Sequence, residues 1–188
     1  KGGKGGEQAG GASGEETTCD FAKLDIRVGE LVEVWNHPES TKLYCEKISC
    51  GDDEPREVCS GLRDFFTLEQ MTNKRVLVCC NLKPAKMANF VSNGMVLCAK
   101  SADGKTVEFI DPPSDAPLGT RILPQNFSGG TEPYTANQVK KKKVLEAVMA
   151  AGMATDADFV ATWSGEKLVA GKGGEVCRAS SLANAHIS

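Results

Sequence analysis

Ile26-Arg27-Val28-Gly29-Glu30-Leu31-Val32-Glu33-Val34-Trp35 alternates inward and outward side chains, with a glycine inside the run. A two-residue period is that of a half-buried strand. The glycine suits a bulge or tight bend in a small barrel. Asn36-His37-Pro38 ends the run. Leu43 to Ser49 reads as a second strand, closed by the Gly51-Asp52-Asp53 turn, and Arg56 to Ser60 as a third. Thr67 to Met71 reads as a short helix and Lys74 to Cys80 as a fourth strand. Met95 to Lys100 and Thr106 to Ile110 are expected to pair across Ala102-Asp103-Gly104-Lys105. Short strands with one helix between the third and fourth fit a barrel of the oligonucleotide/oligosaccharide-binding (OB) type.

Asp111-Pro112-Pro113 and Pro117-Leu118-Gly119 end that unit. Thr135 with Gln138 matches a capping box. One helix is expected from there to about Ala150, with Leu145, Val148 and Met149 as its apolar stripe and Gly152 as its stop. Asp158 to Trp163 and Glu166 to Val169 read as a hairpin across Ser164-Gly165. This segment is small for a core of its own, so it should pack on the barrel. The fold class is therefore all-β dominated: an OB-fold barrel (19–122) with a small α+β C-terminal extension (123–188) packed on it. Residues 1–18 are glycine-rich with almost nothing apolar to bury, as expected for a linker or a construction remnant. A start at Lys1 suggests a piece of a longer protein.

The chain has 188 residues, 40% of them apolar, and a formal charge of −3. It is not basic throughout, but phosphate binding needs only a local basic face. From Lys74 to Lys105 six lysines and arginines stand against one acid, Asp103. No run approaches the ~20 apolar residues that span a bilayer, and no signal peptide is visible. The eight cysteines include no Cys-x-x-Cys pair, and His37 and His186 are the only histidines. Cys45, Cys79, Cys80 and Cys98 sit in strand-like runs, where free cysteine acts as a small hydrophobe. The expectation is reduced, structural cysteines, no metal, no cofactor and a cytosolic setting.

Directly after the fourth strand come Asn81-Leu82-Lys83-Pro84-Ala85-Lys86-Met87 and Val91-Ser92-Asn93-Gly94-Met95. Lys83 and Lys86 on a proline-set loop are the first candidates for phosphate contacts, since Pro84 holds Lys83 extended. Ser92 and Asn93 can bond a ribose hydroxyl or base edge, and Met95 can pack on a base face. Without a ligand, the same residues read as a turn and a core methionine. Lys42, Arg63, Arg75 and Lys100 widen the candidate face if the barrel loops converge on one rim. Lys140, Lys141, Lys142 and Lys143 read as cations opening a helix, against its dipole, a cost that a phosphate backbone would offset. His37 has no nucleophile motif beside it and reads as structural. No Walker loop or dinucleotide fingerprint appears, which argues against an enzyme.

Several ordered strings carry a resemblance. Leu24-Asp25-Ile26-Arg27-Val28-Gly29, His37-Pro38-Glu39 leading to Lys42-Leu43-Tyr44, and Arg56 to Leu62 resemble the tRNA-binding domain appended to aminoacyl-tRNA synthetases. Asn81 to Met87 and Ser92 to Met95 continue the match. Lys140 to Lys143 and Gly173-Gly174-Glu175-Val176-Cys177-Arg178-Ala179 resemble the extension of the endothelial monocyte-activating polypeptide II group. The resemblance implies a non-catalytic OB fold that binds tRNA through shape and backbone. It implies an aminoacyl-tRNA synthetase as partner, fused (methionyl- or tyrosyl-) or in complex. It also implies a monomer, because the extension covers the surface through which shorter relatives dimerise. A multisynthetase scaffold and a secreted cytokine-like ligand are the alternatives. Glu30 and Glu33 depart from the less acidic cytokine-associated heptapeptide at 27–33.

Overall fold

Alternation of the first apolar run produces an eleven-residue strand, β1 (Ile26–Asn36), with Val28 and Leu31 buried. The computed structural model describes residues 19–129 and 132–188, so the expected linker at 1–18 lies outside the described residues. β1 pairs antiparallel with β2 (Tyr44–Ser49) on one side and with β4 (Arg75–Cys79) on the other. β2 continues to β3 (Arg56–Ser60), and β4 to β7 (Met95–Val96), giving the order β3-β2-β1-β4-β7. The bulge falls at Val32, where the β1–β2 register shifts between Leu31 and Glu33, and not at Gly29. Gly29 answers a different need. A Cβ there would meet Ile48 Cγ2 at 2.8 Å, so the strands approach too closely for a side chain.

The short helix α2 (Leu68–Met71) lies between β3 and β4, and Thr67 and Gln70 close its capping box. It drops Met71 into the barrel core beside Leu31, Tyr44, Ile48, Val58 and Val76. Burying such a side chain contributes about 1.5–3 kcal/mol. Tyr44 ends the stack by donating its hydroxyl to the Phe66 carbonyl at 2.7 Å.

The barrel does not stop at its own edge. β8 (Cys98–Lys100) and β9 (Val107–Phe109) pair as expected. They then share a seven-stranded sheet with the later elements β10 (Ile122–Pro124), β11 (Met153–Thr155), β12 (Ala161–Trp163), β13 (Glu166–Ala170) and β14 (His186–Ile187). A second core forms between barrel and extension, with Ile26, Leu77 and Leu97 packed with Val139, Val148 and Leu168. The short N-terminal helix α1 (Asp20–Lys23) adds Phe21, tilted against Trp163 at 5.6 Å. Among the described residues no helix is long and apolar enough to cross a membrane.

One expectation changes here. The helix after Thr135 is two helices, α3 (Ala136–Lys141) and α4 (Val144–Ala150). The capping box at Thr135 forms, but Lys143 adopts φ 52, a left-handed conformation that ends one helix and redirects the chain into the next. The redirection turns Val139, Val144 and Val148 into one core. Lys140 and Lys141 therefore occupy the last turn of α3, where their charge agrees with the dipole instead of opposing it.

Glu46 is fully buried on β2. Its Oε1 accepts from the Ser60 hydroxyl, while Oε2 has no hydrogen-bond partner among the described residues. Burial disfavours the carboxylate, outweighing the Ser60 bond, and pushes the pKa up to about 8. The folded state then holds a proton that the unfolded chain releases above its ordinary value of 4.5. This group's stabilising effect is complete below that value and is lost as pH rises through about 8. Glu46→Gln is expected to raise the thermal midpoint near pH 8.5 and to change it little near pH 5, as thermal unfolding at the two pH values measures.

Candidate nucleic-acid interface

Barrel strands run inward to outward, so binding chemistry collects on the connections. The segment between β4 and β7, expected as a loop, is a hairpin: β5 (Ala85–Met87) paired with β6 (Phe90–Ser92). Ala88 and Asn89 turn it with φ 45 and 68, the positive pair that suits a tight two-residue turn. Strand alternation sends Lys86 and Val91, register partners, to the exposed face. Phe90 packs edge-on against Trp35 at 6.0 Å and His37 at 6.3 Å. His37 Nε2 bonds the Met87 carbonyl at 3.2 Å, and Asn89 donates to Glu39 at 2.8 Å. These contacts join the hairpin to the β1–β2 connection. They explain the burial of His37, which takes the structural place expected for it.

The same connection carries Lys42, and Arg63 lies against it. Arg63 donates from its backbone to the Lys42 carbonyl at 3.4 Å and from its guanidinium to the Ser40 carbonyl at 2.8 Å. Lys42, Arg63 and Lys86 are thus placed on connections that meet at one rim, and Lys83 lies on the loop leading into the hairpin. Asn81 links that loop to the extension. Its side chain accepts from Asp25 N–H at 2.8 Å and donates to the carbonyls of Lys23 at 2.9 Å and Tyr134 at 2.8 Å. Over the Tyr134 ring sit Lys142, at 4.8 Å, and Lys23, at 5.4 Å. Lys140 to Lys143 are all exposed.

Partners separate these cations into two groups. Arg27, Lys47, Arg56 and Lys74 are engaged in ion pairs with Asp25, Glu33, Asp52 and Asp111. Hydrogen bonds to the Asp25 carboxylate lead the effects that hold the Arg27 guanidinium firmly charged. Lys42, Lys83, Lys86, Lys100 and Lys140 to Lys143 make no ion pair with the described residues and are exposed. Arg75 is committed elsewhere, donating to the Ala116 carbonyl. Lys100 stands on β8, between β9 and β14, and lines a cavity with Met87 and Gly61.

The Ser92-Asn93-Met95 stretch has internal duties. Ser92 is buried; its hydroxyl accepts from Cys59 N–H at 2.9 Å and donates to the Gly94 carbonyl at 3.0 Å. Asn93 donates from its backbone to the Glu57 carbonyl at 2.8 Å, and its own carbonyl accepts from Arg56 at 3.1 Å. Met95 is half-buried against the second core. Trp35 and Tyr134 are rim aromatics whose setting was not visible in sequence. A lone aromatic carries no period, and only the pairing with Phe90 and the two lysines reveals its place.

Comparison with known proteins agrees with this geometry. Residues 26–121 match the family described as "Putative tRNA binding domain". The chain is 42% identical over 167 residues to the cytoplasmic methionine–tRNA ligase of Arabidopsis thaliana, covering 89% of this chain and 20% of that protein. It is 40% identical over 182 residues to the aminoacyl tRNA synthase complex-interacting multifunctional protein 1 of Mus musculus, covering 96% of this chain and 56% of that one. Among solved structures, the C-terminal domain of Plasmodium vivax p43 superposes with a TM-score of 0.80 at 31% identity, covering 89% of this chain and 98% of that chain. The chain therefore spans only part of the length of the curated relatives it matches.

Asn81 is the joint between the lysine-bearing hairpin and the extension. Asn81→Ala removes three hydrogen bonds at once and leaves the Asp25 N–H and the Tyr134 carbonyl without their partner, while the Lys23 carbonyl keeps the Tyr134 N–H. A loss of about 2–4 kcal/mol is expected, read as a lower urea midpoint at unchanged slope.

Proposed function

The chain belongs to this tRNA-binding domain family, and on that premise we propose that it grips the tRNA body by its sugar–phosphate backbone and holds it near an aminoacyl-tRNA synthetase. The observation that carries the reading is the convergence of the β1–β2 connection and the β5–β6 hairpin, with cations that no carboxylate among the described residues neutralises. Lys83 and Lys86 are the leading phosphate contacts, with Lys42 and Arg63 beside them. Lys140 to Lys143 extend the cationic strip across Tyr134. Asn93 and Lys100 are flanking contacts, while Ser92, Met95 and Arg75 act by shaping the surface.

Such a grip needs no reaction chemistry. A general hold on the tRNA raises its effective concentration at the synthetase, so apparent affinity rises without new base readout. Shape and 2′-hydroxyls, not paired base edges, are what an A-form RNA offers to it. Residues 19–122 form the gripping unit and 123–188 cover its flank, so the domain works as a monomer. A cytosolic setting fits the relatives, one of which is named as cytoplasmic. The synthetase is a methionyl or tyrosyl enzyme joined to this domain or bound by it. A scaffold role is the second reading, favoured by likeness to a protein named as complex-interacting. The cytokine-like reading is weakened by the placement of 27–33 in β1, paired on both sides with Val28 and Leu31 buried.

Labelled tRNA titrated at several salt concentrations tests the proposal. Log K is expected to fall with log salt by roughly 0.7–0.9 per phosphate contacted. Lys83→Ala with Lys86→Ala is expected to weaken all tRNAs alike and to lower that slope by about two contacts. Unchanged affinity in the double variant sinks the site assignment. Salt-insensitive binding by the parent chain sinks the backbone grip itself.

A further inference from the structure

Three metal-ligating side chains, none of them among the cations of the rim, meet where the β1–β2 connection joins β2 and β3. The ligand atoms of His37, Cys45 and Cys59 all lie within 4.8 Å of one another, and all three residues are buried. Strand register brings them together. Cys45 and Cys59 face each other across β2 and β3. Trp35 pairs with Cys45, and His37 follows two residues later. Cys59 sends its N–H away from β2, to Ser92 Oγ, so the two cysteines form a non-hydrogen-bonded pair, whose side chains stand closest in an antiparallel ladder.

We propose that His37, Cys45 and Cys59 bind a Zn²⁺ ion that ties the β1–β2 connection to β2 and β3. Two thiolates and an imidazole form a Cys₂His set, leaving one position of a tetrahedron open. Zinc–sulfur and zinc–nitrogen bonds of about 2.3 and 2.0 Å require donor atoms roughly 3.5–4 Å apart, within about 1 Å of what the fold provides. Binding releases two thiol protons to solvent, and the two thiolates then neutralise the ion, as a buried charge demands.

The surroundings suit an ion. His37 Nδ1 accepts from Glu39 N–H at 3.0 Å, and Nε2 bonds the Met87 carbonyl at 3.2 Å. Nδ1, the unprotonated nitrogen, takes the metal in exchange for the Glu39 N–H. The Nε2–H bond to the Met87 carbonyl persists and fixes the ring, as an outer-shell partner does in metal sites. A cavity of about 220 Å³, lined by Cys59 with Gly61, Leu62, Phe65 and Met87, gives an entry path on the Cys59 side of the triad. Beside Cys50 and Cys80, with sulfurs 3.8 Å apart, Asp52 Oδ2 lies 3.5 Å from the Cys50 sulfur but is held by Arg56, and no third ligand atom lies close to both sulfurs among the described residues. Proximity of two thiols alone is thus not what singles out the triad.

The test uses the full chain, reduced and stripped of metal, titrated with Co²⁺ and then Zn²⁺. One Co²⁺ per chain is expected, with a thiolate-to-cobalt charge-transfer band in the near ultraviolet and tetrahedral bands in the visible, both displaced by Zn²⁺. Cys45→Val and Cys59→Val each replace a buried thiol by an apolar group of similar size, and circular dichroism verifies that they fold. Each is expected to abolish the bands and to weaken Zn²⁺ binding by at least about tenfold, the lower figure for loss of even an outer-shell partner. Absence of the bands in the parent chain overturns the proposal, as does their persistence in both valine variants.

Discussion

The barrel closes through side chains and one short loop, and everything on its rim depends on that closure. β3 and β7 are the two edges of the five-stranded sheet. No continuous ladder joins them. Instead Ser92 takes the Cys59 N–H, Asn93 bonds the Glu57 carbonyl, and Arg56 holds the carbonyls of Cys80 and Asn93 together. Each bond satisfies a backbone group that an open edge would leave to water or to another chain. Gly94 makes the approach possible, because a Cβ there would sit 3.2 Å from both the Cys79 carbonyl and a Val58 methyl. The hairpin that carries Lys86 emerges from this closure, so its direction is set by the barrel itself.

Charge is allocated by the same economy. Asp25 and Asp52 occupy Arg27 and Arg56, which lie where the strands meet. Guanidinium groups suit this position because each reaches several acceptors from one planar fork. Lys42, Lys83 and Lys86, on the connections of the rim, make no ion pair with the described residues. A chain of net charge −3 can therefore present an outward positive rim, and the phosphate contacts proposed for it would displace no internal pair.

Sequence reading found the strands because a half-buried strand writes its period into the chain. β1, β2, β3 and β4 fall within a residue or so of their expected bounds. It missed what depends on contacts between distant segments. Gly29 was assigned to a bulge, yet its neighbour is Ile48, across the sheet. The β5–β6 hairpin turns on Ala88-Asn89, a pair without the usual glycine, so no local signal marked it. The break at Lys143 is a backbone conformation that a lysine adopts at some cost, held by the packing of Val139, Val144 and Val148. Its consequence for Lys140 and Lys141 is a reversal of sign with respect to the helix dipole, while Lys143 remains at a helix start, as the N-cap of α4. The His37, Cys45 and Cys59 triad was hidden for a related reason. Metal spacing rules look for ligands close in sequence, and here the ladder supplies the nearness.

The hairpin is clamped at both ends by different units. At Asn81 it is tied to α1 and to Tyr134 of the extension, and at Ser92 to β3 of the barrel. Midway, Phe90, Asn89 and Met87 attach it to the β1–β2 connection. A segment held at three points loses little further backbone freedom when it meets a ligand, and that loss is one of the main costs of binding. In the proposed function, lysine side chains on such a frame would be free to follow a phosphate backbone whose exact course differs among tRNAs. Rigid backbone with adaptable cations is thus the arrangement that the proposed grip requires. The extension matters to that grip even where it touches no RNA, because Asn81 depends on a carbonyl that the extension provides.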